Sequence, residues 1–208
     1  MHVRECPARL AAPVLLASAL LLANIALAQE TEPRNLSFEE PAEAPGGRPP
    51  GWWFIEHAGP VSFEFAIDDK VAKEGKQSLR IRRTGNQPYG VVLQTIRADR
   101  FRSKRARLTA FLRLDNVDAY GRGALREMSG AALMLRSQGG GAMVLDDMRD
   151  HPLRGTKPWT KVSVKIDVPA MATVLEFGAI LSGSGTLWAD AFRLEVVEPS
   201  AAAEPAAK

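Results

Sequence analysis

The run Leu108-Thr109-Ala110-Phe111-Leu112-Arg113-Leu114 decides the fold class. Leu108, Ala110, Leu112 and Leu114 alternate with Thr109, Phe111 and Arg113. Successive side chains of an extended strand point to opposite faces, so this run has one apolar and one mixed face. A second run repeats the pattern: Val162, Val164, Ile166 and Val168 alternate with Lys161, Ser163, Lys165 and Asp167. Shorter stretches of the same kind lie at 61–67, 78–83, 90–96, 131–137, 142–146, 174–181 and 186–197.

The breaks between these runs carry turn chemistry. Gly139-Gly140-Gly141 and Gly183-Ser184-Gly185 each stand between two strands, where glycine permits the positive φ of a tight hairpin. Neither is a phosphate-binding loop, because no helical pattern follows. Residues 41–51 are rich in Pro and Gly and read as a loop. The one long connection, 115–130, has room for a helical turn around Ala124 to Met128 but no sustained helical stripe. About ten strands without a strong helix predict two packed sheets. The expected fold is an all-β, two-sheet antiparallel jelly-roll β-sandwich over residues 35–197.

The ends of the chain read differently. Arg4 and Arg9 precede an apolar stretch from Leu10 to Ala26, which ends in Ala26-Leu27-Ala28. A basic start, an apolar run and a small-x-small site make residues 1–28 a signal peptide cleaved after Ala28. The run is shorter than the roughly 20 residues that span a bilayer, so no stable membrane anchor is expected. The reading is a periplasmic or secreted protein. Residues 29–34 form a short polar linker, and 198–208, made of Ala, Pro and Glu, a disordered tail. Cleavage removes Cys6, the sole cysteine, so no disulfide staples the mature domain.

Composition excludes some classes of function. The chain has 27 Lys and Arg against 24 Asp and Glu, a mild balance that argues against dedicated nucleic-acid binding. Outside the signal peptide the histidines are His57 and His151, and no Gly-x-Ser-x-Gly elbow is present. Nucleophilic catalysis needs a base beside its nucleophile, so no enzyme is expected. Arg97, Arg100, Arg102, Lys104, Arg105 and Arg107 form a basic run, which reads as a solvated connection with polyanion binding as the competing reading.

The candidate binding residues are aromatic and polar. Trp52 and Trp53 follow a loop and Tyr89 follows Pro88. Neighbouring strand residues face opposite ways, so Trp52 and Trp53 cannot both enter one core. Gln94, Phe111, Arg113, Met134 or Arg136, and Glu176 fall on strand faces that read as non-core, with Asp146, Asp147 and Asp150 at their rim. Gathered on one concave sheet, Trp52, Trp53, Tyr89, Gln94, Phe111, Arg113, Asp146 and Glu176 would line a sugar cleft; on an ordinary solvated face they would form cross-strand pairs. Asp190 shares the spacing of Trp188, Phe192, Leu194 and Val196, so it is expected to point into the core. A buried carboxylate needs a metal, an arginine such as Arg80 or Arg82, or several backbone N–H donors.

Landmarks along the chain point to a family. Asn35-Leu36-Ser37-Phe38-Glu39 opens the domain, Pro50-Gly51-Trp52 follows, and Gly75-Lys76-Gln77-Ser78-Leu79-Arg80-Ile81, Gly155-Thr156 with Trp159, and Trp188-Ala189-Asp190 come later. Their order resembles the galactose-binding-like jelly rolls, including bacterial carbohydrate-binding modules. Residues 146–156 and 181–190 are similar to segments of the β-sandwich found beside bacterial erythromycin-esterase-like and peptidase domains. The resemblance implies a non-catalytic module that binds a glycan, or a cell-envelope domain that contacts a protein partner. It also implies a structural calcium held by Glu39, Asp190 and backbone oxygens near Gln77, although Ala191 stands where such modules often carry a second Asp.

Intact-mass measurement of the exported protein is expected to show Gln29 at the N-terminus; recovery of the full-length chain from the cytosol would remove the export reading.

Overall fold

A computed structural model describes residues 30–42, 44 and 47–197. The expected signal peptide with its cleavage site, and the expected tail from residue 198, lie outside the described residues. The strands are β1 (Trp53–Glu56), β2 (Phe63–Asp68), β3 (Ser78–Arg83), β4 (Gly90–Arg97), β5 (Arg105–Val117), β6 (Ala131–Gly139), β7 (Ala142–Asp146), β8 (Gly155–Asp167), β9 (Val174–Leu181) and β10 (Thr186–Val197). One short helix, α1 (Gly123–Glu127), fills the connection between β5 and β6. The strands form two five-stranded antiparallel sheets, one ordered β1-β4-β9-β6-β7 and the other β2-β3-β10-β5-β8. The fold is thus the all-β jelly-roll sandwich that the alternating runs predict.

The inner faces follow from the period-two pattern. Leu108, Ala110, Leu112 and Leu114 of β5 are buried against the facing sheet, as are Leu79 and Ile81 of β3 and Leu133, Leu135, Leu175, Phe177, Ala179 and Leu181 of β6 and β9. At one end of this core Trp52 packs among Phe38, Phe192 and Phe177, with ring centroids 4.9, 5.0 and 5.9 Å away. Its Nε1 donates to Asn35 O at 2.9 Å, so the buried indole is fully satisfied. The opening segment closes this end of the sandwich. Asn35 Oδ1 accepts from Glu40 N and Asn35 Nδ2 donates to Glu40 O, while Leu36 O accepts from Phe192 N.

Two glycine signals resolve differently. Gly140 and Gly141, with φ of 60° and 76°, make the two-residue hairpin loop between β6 and β7 that the triple glycine predicts. Gly183 and Gly185 also have positive φ, yet β9 and β10 belong to different sheets. That turn is a crossover between sheets, not a hairpin. Strand β1 adds to the alternating runs: Trp53–Glu56, not named among them, pairs with β4 from Trp53↔Leu93 to Glu56↔Gly90. At the other side of the sandwich β7 and β8 come together across the sheets, where Asp146 Oδ2 accepts from Lys165 N at 3.0 Å.

Trp52→Ala is expected to cost about 3–5 kcal/mol in chemical denaturation, because it empties the centre of the aromatic cluster. A loss below about 1 kcal/mol would mean that the ring does not hold this end together.

Candidate functional site

The two sheets each turn one face outward, and each outer face carries a groove of about 800 Å³. The first is built on β1, β4 and β9 with the Pro/Gly loop before β1. Trp53 and Ile55 of β1 lie beside Leu93 and Thr95 of β4 and Glu176 of β9, and Arg48, Pro49 and Pro50 form the wall. Trp53 is 45% exposed, which is unusual for the largest side chain and marks it as available for contact. The Arg48 guanidinium lies 3.9 Å from the centre of its ring. Glu176 is fixed by two neighbours: Arg136 and Gln138 both donate to Oε2, the latter at 2.8 Å. Its Oε1 accepts no hydrogen bond among the described residues and is left to receive a donor in the groove.

The second groove lies on β10, β5 and β8. Its lining includes Phe111 and the hydroxyls of Thr109 and Ser163, with Lys161, Lys165 and Arg193 among the charged groups. Lys73 Nζ stands 4.7 Å over the Phe111 ring.

These faces divide the residues that the sequence groups into one cleft. Trp53 and Glu176 meet in the first groove, Phe111 and Asp146 line the second, and Arg113 lies on the second sheet's outer face with its guanidinium 5.6 Å from the Trp188 ring. Tyr89 is half-buried near the start of β4, edge-on to His57 at 5.7 Å, away from both linings. Two residues belong to the core instead of a binding face. Trp52 is 2% exposed within the aromatic cluster. Gln94 shares the phase of Val92 and Ile96, and its amide accepts from Arg34 N at 3.0 Å and donates to Arg34 O. Both faces of β4 are covered, so apolar alternation alone could not reveal its phase. Arg48, Ile55, Leu93 and Thr95 carried no sequence signal beyond their nearness to Trp53 or Gln94.

Asp190 is buried, but not by the route its spacing implies. The register between β10 and β5 shifts between Asp190 and Arg193, and Ala191 adopts φ of 52°. This bulge reverses the phase of the strand. Leu187, Ala189, Phe192 and Leu194 point into the core, whereas Asp190 points outward with Trp188. A loop covers it there. Asp190 Oδ2 accepts from Lys73 N at 2.8 Å and Glu74 N at 3.0 Å, and Oδ1 from Ala191 N at 2.6 Å. Arg80 and Arg82 pair with Glu64 instead. Glu39 grips the other end of the same loop, with Oε1 accepting from Lys76 N at 2.9 Å and Gln77 N at 3.2 Å. A Cβ on Gly75 would lie 2.3 Å from that oxygen, so glycine is needed at this approach.

Calcium would need oxygen ligands around it, and these carboxylates face N–H donors. Among the described residues no group of three or more His, Cys, Asp or Glu side chains converges on a metal position. As they stand, Glu39 and Asp190 clamp residues 73–77 with backbone amides, and the donors turned toward them do not suit a cation.

Burial raises the Asp190 carboxyl above its usual range, and the amides of Glu74, Lys73 and Ala191 offset part of that rise. A carboxyl raised in the folded state binds more protons there than in the unfolded chain. Its contribution therefore turns less favourable as pH climbs from the ordinary aspartate range to the raised value.

The fold is a two-sheet antiparallel jelly-roll β-sandwich. The solved structures that share this architecture include a xylan-binding domain from CBM 22, 15% identical, with a TM-score of 0.50 over 79% of this chain and 94% of that one. TmCBM61 in complex with β-1,4-galactotriose is 11% identical, with a TM-score of 0.51 over 81% of this chain and all (100%) of the other. A cyclase from Fischerella sp. TAU is 17% identical, with a TM-score of 0.53 over 82% of this chain and 98% of that one. These likenesses are of fold. No family model matches the chain. In sequence it is similar to an uncharacterized HTH-type transcriptional regulator, YbfP, of Bacillus subtilis (strain 168), 31% identical over 153 residues. That match takes in 71% of this chain and 48% of the regulator, so the chain spans about half the length of its curated relative.

Asp190→Ala is expected to lose about 2–4 kcal/mol, because three amides lose their acceptor beside a small cavity. Asp190→Asn, which keeps one oxygen, should lose less. A chelator should leave the wild-type melting temperature unchanged if amides alone hold the carboxylates. A fall on chelation that is absent in Asp190→Ala would instead assign a calcium to the pair.

Proposed function

We propose that this chain is an exported, non-catalytic module that binds a glycan in the groove on the outer face of β1, β4 and β9. The observation that carries this reading is the 45% exposure of Trp53 in a groove shared with Glu176. Sugars present apolar C–H faces that stack on aromatic rings and hydroxyls that need polar partners. Trp53 supplies the ring, while Glu176 Oε1 and the Thr95 side chain in the same lining supply acceptors. Arg48 covers the ring without closing the site. An exposed cation–π contact contributes only about 0.5–1 kcal/mol, which a stacked sugar can replace. Displaced from the ring, the guanidinium keeps its donors for the sugar's hydroxyls.

Neighbours of this fold support the reading: one is named a xylan-binding domain and another is solved with β-1,4-galactotriose. A cyclase also shares the fold, so architecture alone does not separate binding from catalysis. The argument against catalysis is local, since among the described residues neither groove lining contains a histidine, cysteine or tyrosine. In this reading the module acts in the periplasm or outside the cell, and in longer bacterial proteins it would accompany an esterase- or peptidase-like domain. A protein partner in the envelope is the second reading. It draws on Ile55, 45% exposed beside Trp53, which widens the apolar part of the groove.

A glycan-array screen of the chain from Gln29 onward, followed by calorimetry on the best hit, tests the proposal. Trp53→Ala is expected to weaken binding about tenfold or more, in line with loss of a central aromatic contact, without changing the melting temperature. Ester, peptide and glycoside substrates should stay at background. Absence of any glycan hit, or a Trp53→Ala variant that binds as the wild type does, would overturn the reading.

A further inference from the structure

We propose that the outer face of β10, β5 and β8 is a second binding site, for an acidic saccharide whose sugar units carry carboxylates. It lies on the opposite sheet from Trp53 and is independent of that groove.

The register fixes the layout. One cross-strand row is Glu195–Arg107–Lys165, the next Arg193–Thr109–Ser163, and the third Asp190–Phe111–Lys161. Apart from Asp190, these residues line the second groove, of about 800 Å³. Its acids are largely committed. Glu195 Oε1 accepts from both Nε and Nη2 of Arg107, at 2.9 and 2.7 Å. Asp146 accepts from the backbone amides of Met148 and Lys165. Asp190 is buried beneath residues 73 and 74 and faces their amides. Glu74 remains at the rim. Against these, Lys161, Lys165 and Arg193 are exposed and have no carboxylate partner among the described residues. Lys73, over the Phe111 ring, brings another cation to the same end.

The spacing of the cations selects the ligand. Lys161 and Lys165 are four residues apart on one strand, about 13 Å by strand rise, and Arg193 lies two strands away, about 10 Å. Such a spread does not converge on a single phosphate or sulfate. Between the cations lie the hydroxyls of Thr109 and Ser163, 3.5 Å apart, and the half-buried Phe111. The ligand that matches is a chain whose negative charges are separated by neutral, hydroxyl-bearing units. A polyuronate has that chemistry. The basic run at 97–107 does not compete for it. Its arginines are paired, Arg97 and Arg102 with Asp99, Arg100 with Glu32, Arg105 with Asp167 and Arg107 with Glu195, and Lys104 Nζ donates to Arg100 O.

The test is calorimetric titration of the chain from Gln29 onward with oligogalacturonate and with its methyl ester, at low and at high salt. The acid form should bind at low salt and weaken at high salt, and the neutral ester should not bind. The variant Lys161→Gln/Lys165→Gln/Arg193→Gln should lose about tenfold or more in affinity, as expected when three rim charges are removed. Its melting temperature, and its binding of any neutral glycan found at Trp53, should be unchanged. Trp53→Ala should bind oligogalacturonate as the wild type does, so the two sites can fail separately. The proposal is overturned if the acid form does not bind, if the ester binds equally, or if the triple variant retains wild-type affinity. It is also overturned if Arg97→Gln/Arg100→Gln removes binding instead, or if a single-stranded oligonucleotide of equal charge binds as tightly.

Discussion

The bulge at Asp190 and Ala191 is the constraint on which much of the sandwich depends. One residue with φ of 52° shifts β10 by half a period. Without it, Asp190 and Phe192 would face the same way, and either the carboxylate would enter the apolar core or the phenyl ring would leave it. With it, Phe192 reaches Trp52 and Phe38 while Asp190 turns outward to the amides of residues 73 and 74. A left-handed alanine is strained by about 1–3 kcal/mol. Three hydrogen bonds to a charged acceptor, each worth about 1.5–3 kcal/mol, work against that strain and offset part of the cost of burying the charge. The backbone just beyond the bulge also binds the opening segment, through Phe192 N and Leu36 O. Strain, core and loop are thus joined at a single point of one strand.

The sequence was most informative where a strand has one wet and one dry face. Strands β5 and β8 sit at or near a sheet edge with an open outer face, so their alternation is clean and the inner set can be read directly. Strand β4 is covered on both sides, and Gly90–Arg97 is buried almost throughout. Its pattern therefore could not say that Gln94 faces inward. Strand β1 escaped notice because Trp53–Glu56 is short and three of its four residues are bulky and apolar, with no alternation to follow. Asp190 was recognisable as a buried acid needing a partner. Its direction was not, because a bulge changes phase without leaving a residue signature other than an alanine in an unusual conformation.

Candidate binding residues were harder to group than to find. Alternation assigns a side chain to a face, but only sheet order says which faces coincide. Glu176 and Phe111 look equivalent along the chain, yet β9 and β5 belong to different sheets, so the two side chains lie on opposite sides of the molecule. Trp52 and Trp53 illustrate the favourable case. Adjacent positions must diverge, and here one indole fills the core while its neighbour is left in a groove. The charged surface repeats the lesson. The five arginines of the conspicuous basic run pair with acids at residues 32, 99, 167 and 195, while Lys161, Lys165 and Arg193, inconspicuous in sequence, stand without such partners among the described residues.

The contact from Asp146 to Lys165 N has a bearing on how the protein survives at high local concentration. Strand β8 is the last of its sheet, and an outward row of N–H and C=O groups would invite a strand from another molecule to add to it. Asp146 occupies one of those donors from within the same chain. Pro158 supplies no donor at all, and Lys157, Lys161 and Lys165 place repeated positive charge along the strand, so that a second copy approaching edge to edge meets like charge. The margin of the sheet is thereby guarded against templated growth, and the domain can be crowded without its longest free strand seeding an aggregate.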